Sequence, residues 1–192
     1  MSIIRNVLAV IGLLAVLLLG FGYQQWTAFT AQLDPEAPHI YREFFAEFMA
    51  HKDPADAMIW SVPVAEGMSP EDVVTSLKSL AVQHSLLFVG ESPFYKQAAA
   101  VTGKPYRYVN FLSFCDVRVG MKMTDYNDAY TAFMPCRIAI VEDAKGALSL
   151  HSMNLDLMIH GGKELPPDLK EGAIRVRNAI RKIMEGAAAG EF

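Results

Sequence analysis

Residues Val7 to Tyr23 (VLAVIGLLAVLLLGFGY) carry no charge and almost no polarity, and this run constrains the chain more than any other feature. Wound as a helix it is about 26 Å long, near the lower limit for crossing a bilayer core. Trp26 and Phe29 prolong it, and Tyr23 and Trp26 have the amphipathic rings that settle at headgroup level. In lipid such a segment must be helical, because the bilayer offers its backbone no hydrogen-bond partner. Two readings compete with a retained anchor. A buried core helix lacking any polar face would be unusual in a domain this small. A cleaved signal peptide would need a shorter apolar run and a small-x-small step, where this chain has Tyr23-Gln24-Gln25-Trp26. Retention is favoured. Arg5 precedes the run and Asp34 and Glu36 follow it. The positive-inside rule then puts the N-terminus in the cytoplasm and everything after Gln25 outside, single-pass in the inner membrane of a bacterium.

The remaining length suits one domain with an appendage, from a chain of 192 residues that is 52% hydrophobic. A formal net charge of −4 argues against nucleic acid as a partner, since phosphate binding needs a basic stripe. Two cysteines cannot build a disulfide-dense scaffold. Three regions follow: an anchor over residues 1–33, a juxtamembrane amphipathic helix over 34–56, and an α+β domain over 57–192. In the second region Ile40, Phe44, Phe45, Phe48 and Met49 recur at helical spacing. Without a basic face, that helix is expected to dock on the domain rather than lie on lipid.

From Ala57 onward the pattern is α+β, with a mostly antiparallel sheet backed by helices. Met58, Trp60, Val62 and Val64 alternate as a half-buried strand. Ser69-Pro70-Glu71-Asp72 opens a helix that runs to about His84, with serine as cap and acids at the positive end of the dipole. A short strand over Leu86–Val89, a helix over Pro93–Val101 closed by Gly103, and an aromatic strand over Tyr106–Phe114 come next. Arg137–Glu142 and Ala147–Met153 read as a hairpin with Gly146 at a left-handed position. The last helix starts near Pro166 and stops at Gly186, leaving a tail, Ala187–Phe192, that carries no packing signal.

No phosphate loop, HExxH, GxSxG or CxxC is present, which lowers the expectation of an enzyme. His39, His51, His84, His151 and His160 are scattered, and His160-Gly161-Gly162 reads as a plain loop. Cys115 and Cys136 carry the main interest, one ending the aromatic strand and the other opening the next. If those strands are antiparallel neighbours, both sulfurs fall at one edge of the sheet, within possible bridging range. Outside the cytoplasm such a pair tends to oxidise. Met121, Met123 and Met134 surround the pair in sequence, and thiolate with thioether is the ligand set Cu(I) prefers. The plainer reading has the thiols buried and methionine as flexible core filler. Asp116 and Arg137 are supporting candidates, Arg137 by lowering a thiol pKa, or else the two form an ordinary surface ion pair. Glu91, Asp125 and Asp128 read as cap or turn residues before ligands or bases. Tyr106, Tyr108, Phe111 and Phe114 either pack the core or line an apolar pocket.

The stretch from about Leu86 to Ile159 resembles the DUF302 family of small α+β domains. The likeness rests on Tyr106-Arg107-Tyr108-Val109-Asn110-Phe111 leading to Phe114-Cys115-Asp116, then on a helical segment leading to Ala132-Phe133. It continues through Met134-Pro135-Cys136-Arg137-Ile138-Ala139-Ile140-Val141-Glu142. It implies an antiparallel sheet of the TATA-binding-protein-like kind, with Cys115 and Cys136 on the family's two cysteine positions. Val89-Gly90-Glu91-Ser92-Pro93 departs from the family's acidic Ile-Asp step, and the segments before Ala57 are additions. The family supplies no settled activity, and fold alone would not license one. The sequence therefore leads to a membrane-anchored binding or accessory module that meets the bilayer through residues 7–26 and a membrane or periplasmic protein. A thiol-redox or Cu(I)-binding protein and a small-molecule sensor are the alternatives.

Overall fold

Local chemistry sets most element boundaries in the computed structural model, which describes residues 2–192. The apolar N-terminal run becomes one helix, α1, over Ser2–Thr30, long and apolar enough to span a bilayer, and its membrane-length window is not buried against the rest of the chain. After a turn, α2 spans Ala37–His51 and ends at Lys52, which takes a left-handed conformation. Asp53 caps the short helix α3, Pro54–Met58, and strand β1 follows over Ile59–Pro63. Met58 thus closes a helix, where the alternation had placed it in the strand.

Ser69 caps α4, Pro70–Gln83, in a full capping box with Asp72, as its sequence indicates. Strand β2 spans Leu87–Ser92, longer than expected, until Pro93 ends the ladder. Helix α5, Phe94–Thr102, closes at Gly103 with φ +67°. Strand β3 spans Val109–Cys115, later than the aromatic run suggests. The reason lies at Tyr108, whose N–H donates to the Glu142 side chain at 2.8 Å instead of to the ladder. Helix α6, Val117–Tyr126, and a 3-10 turn, Asp128–Phe133, lead to the hairpin of β4, Cys136–Glu142, and β5, Leu148–Met153. Gly146 holds φ +85° in its turn. Short α7, Asp156–His160, precedes the long α8, Pro167–Ala189.

The five strands form one antiparallel sheet in the order β1-β5-β4-β3-β2. Alternation sends Leu112, Phe114, Ile138, Ile140 and Leu150 to one face, where they are fully buried against α4, α6 and α8. Burying each such side chain is worth about 1.5–3 kcal/mol, so this sheet–helix layer is the domain's main source of stability. The chain is α+β, as expected. Gly186 does not stop the last helix. A Cβ there would come within 2.9 Å of Leu80 Cδ1, so the glycine serves the close approach of α8 to α4. The stop is Gly190, at φ +83°. Nor is the tail loose: Ala187 and Ala188 are buried, and the Ser76 hydroxyl donates to the Glu191 carbonyl.

Candidate functional site

Antiparallel pairing places Phe114 opposite Cys136, so Cys115 and Cys136 meet at one end of β3 and β4. Both are free thiols rather than the disulfide that oxidation outside the cytoplasm would favour, and both line a cavity of about 40 Å³ between that sheet end, α6, α7 and α8. Met123, Met134 and Met158 line it too, which brings five sulfur-bearing side chains to one small space. Val119, Leu155, Ala173 and Val176 complete an apolar wall. Gly120 borders two of the sulfurs. A Cβ on it would stand 3.4 Å from Met134 Sδ and 3.6 Å from Cys115 Sγ.

The supporting residues fall elsewhere than expected. Asp116 lines the cavity, but its Oδ1 caps α6 by accepting from the N–H groups of Arg118 (3.0 Å) and Val119 (3.2 Å). Its Oδ2 faces Arg175 Nη2 at 3.5 Å, so Asp116 and Arg137 form no pair with each other among the described residues. Arg137 is exposed beside Ser113 on the other face of the sheet, its guanidinium 5.3 Å from the Phe111 ring centroid. It therefore does not activate a thiol. Burial pushes the Cys136 thiol up to about 11, with Cys115 adding to the effect. Burial and the Asp116 charge likewise raise Cys115. Both thiols are thus protonated at neutral pH.

Met123 and Met134 take their expected places, whereas Met121 is 63% exposed and lines not this cavity but an open groove beside it, shared with Cys115, Gly120 and Met134. Met158 was missed, because α7 is one short turn with too few residues to show a period. Glu91 is neither cap nor turn. It lies in β2 and accepts from Asn110 Nδ2 at 2.8 Å and Lys78 Nζ at 2.9 Å, contacts that hold its carboxyl below the usual range. Asp125 is exposed near the end of α6, and Asp128 sits in the first turn of the 3-10 segment. His151 lies between Ser61 Oγ (2.9 Å) and Ser149 Oγ (2.8 Å), with burial lowering its pKa. The aromatic rings cover one another: Tyr95 stacks on Tyr108 at 4.7 Å, and Phe94 packs on Phe111 and Tyr106 at 6.0 and 5.9 Å. Phe114 is fully buried, which fits core packing. His160 is no loop residue either. It is buried at the end of α7, with Nδ1 3.2 Å from Asp34 Oδ1.

An open antiparallel sheet backed by helices, with two cysteines at the β3–β4 end, defines a class of small α+β domain. Residues 60–187 match the profile of the family described as Domain of unknown function DUF302, and the chain belongs to that family. Its fold is similar to the crystal structure of an uncharacterized conserved DUF302 protein from Bacillus stearothermophilus. That likeness has a TM-score of 0.53 at 15% identity and covers 67% of this chain and 96% of the other. A comparison with curated proteins found no match.

Proposed function

We propose that this chain is a single-pass membrane protein whose DUF302 domain acts as a binding module on the outer face of a cytoplasmic membrane. Its N-terminus is cytoplasmic, α1 is the anchor, and the sulfur-lined cavity is the ligand site, taking one Cu(I) ion. The observation that supports this reading is five sulfur side chains on a cavity of about 40 Å³. Small-molecule pockets start at about 300 Å³, so a single ion is the ligand of the right size. Soft thiolate and thioether donors select Cu(I). Asp116 is engaged in capping α6 and faces Arg175, which leaves sulfur as the donor set of the cavity. One thiolate, that of Cys136, with thioethers around Cu(I) is electrically neutral, which suits an apolar wall.

Binding requires a thiol to lose its proton to solvent, so affinity rises with pH. Thiol–disulfide exchange is the second reading, favoured by the two thiols sharing one cavity. It is the weaker of the two because exchange needs a free thiolate, which raised pKa values disfavour, whereas a metal ion drives off the proton of the thiol it binds. The test uses the full chain in detergent under anaerobic conditions, with Cu(I) titrated against a chromophoric chelator. One equivalent is expected per chain, with at least tenfold weaker binding in Cys136→Ser and no change in Met121→Leu. Chelator retaining all the copper overturns the reading. A C-terminal alkaline phosphatase fusion, active only outside the cytoplasm, tests the orientation.

A further inference from the structure

Helix α2 has a wider apolar arc than the domain covers. At about 100° per residue, Ile40, Phe44, Ala37, Phe48, Tyr41, Phe45 and Met49 sweep an arc of about 180°. The first part of that arc is turned inward: Ala37 is buried, and Ile40, Phe44 and Phe48 are half-buried, in a helix that packs on α3 and α7. The remainder is open, with Tyr41 41%, Phe45 58% and Met49 71% exposed. Arg42 borders this open stripe. Glu43 and Glu47 lie on the far side, where His39 and His51 face them at 3.5 Å each.

We infer that the open stripe of α2 lies on the outer-leaflet lipid surface, fixing the domain's orientation against the membrane; this rests on the reading of α1 as a membrane anchor. Continuity with that anchor argues for lipid as the occupant. Asp34 is held to the domain by its N–H to the Gly162 carbonyl (2.9 Å) and by Lys170 Nζ (2.6 Å). It stands only four residues beyond Thr30, so the domain is within about 14 Å of the helix end even with the chain fully extended. The stripe starts beside the same point, because the Tyr41 hydroxyl donates to the Gly161 carbonyl at 2.6 Å. Arg42 at the margin reaches lipid phosphate while its stem stays on apolar surface. Docking on the domain and lying on lipid are thus jobs of two parts of one arc.

The test reconstitutes the full chain in nanodiscs of zwitterionic and anionic phospholipid. Single cysteines replace Phe45, Met49, Ala50 or Leu14 in a Cys115→Ser/Cys136→Ser background whose folding is checked by circular dichroism, and each carries an environment-sensitive fluorophore. Lipid-borne nitroxide is expected to quench probes 45 and 49 several-fold more than probe 50, on the polar face. Solvent-like quenching at both 45 and 49 overturns the proposal, as does shielding without lipid quenching, which would mark a protein partner or second copy. Probe 14 separates the two readings: quenched at 14 but not at 45 and 49, the anchor stands and this proposal fails. Unquenched at 14, the anchor fails and this proposal with it. Should the serine background misfold, a Phe45→Trp chain with native cysteines replaces it. Quenching of its added tryptophan by brominated lipid, relative to the parent chain, supports the proposal, and no added quenching overturns it.

Discussion

Lys170 Nζ lies 2.6 Å from Asp34 Oδ2, joining the chain just beyond the apolar helix to the helix that backs the sheet. The Asp34 carboxylate is buried, while Lys170 also reaches Glu164 at 2.8 Å. Lys170→Met leaves a buried carboxylate without its main counter-charge and is expected to cost about 3 kcal/mol. Asp34→Ala takes one hydrogen bond each from His160 and the Glu36 N–H but leaves a lysine that still has Glu164 and solvent, and is expected to cost less, about 2 kcal/mol. Chemical denaturation of the two variants checks that order.

The same pair sets a pH window. Burial pushes the Asp34 carboxyl up, but bonds from Lys170, the Glu36 N–H and His160 outweigh it and hold the pKa below its ordinary 3.8. Its contribution is present above that value and is lost as pH falls through the lower folded value. Ion pairing with Asp34 and Glu164 raises Lys170 above 10.5, so its contribution is present below 10.5 and is lost as pH rises through the higher folded value. Thermal melts should show Lys170→Met destabilised relative to the parent at neutral pH, with the gap shrinking in strong acid.

Gly120→Ala separates packing from binding. Helix propensity alone favours alanine by about 1 kcal/mol at an interior helical position. The new methyl would stand at ordinary contact, 3.4 Å, from Met134 Sδ, yet occupy the space the sulfurs share. Unchanged or higher thermal stability with weakened Cu(I) binding is the expected outcome. Lowered stability with normal binding would contradict the assignment of the cavity.

Thiol reactivity should follow burial. Cys136, pushed up to about 11, holds only about one part in ten thousand as thiolate at pH 7. Iodoacetamide labelling followed by mass spectrometry should modify Cys115 first and Cys136 only on unfolding. Two rapidly modified thiols in the native protein would contradict the burial that raises both.

Much of this was legible in the sequence where chemistry is local. Ser69 with Asp72, Gly103 and Gly146 announce their caps and turn, and the adjacency of Cys115 and Cys136 follows once β3 and β4 are antiparallel neighbours. What was hidden depends on tertiary packing. Gly186 looks like a stop until Leu80 is seen against it, and Ala187 and Ala188 look loose although the fold buries both. His160 reads as loop because its partner, Asp34, lies 126 positions away. Met158 and Met121 trade roles because only the fold decides which thioether faces inward.

X-ray absorption at the copper edge tests the central claim most directly, on the full chain loaded with one equivalent of Cu(I) without oxygen. The account predicts a sulfur-only coordination environment that is lost in Cys136→Ser and retained in Met121→Leu. Nitrogen or oxygen scatterers, or a spectrum unaltered by Cys136→Ser, would contradict it.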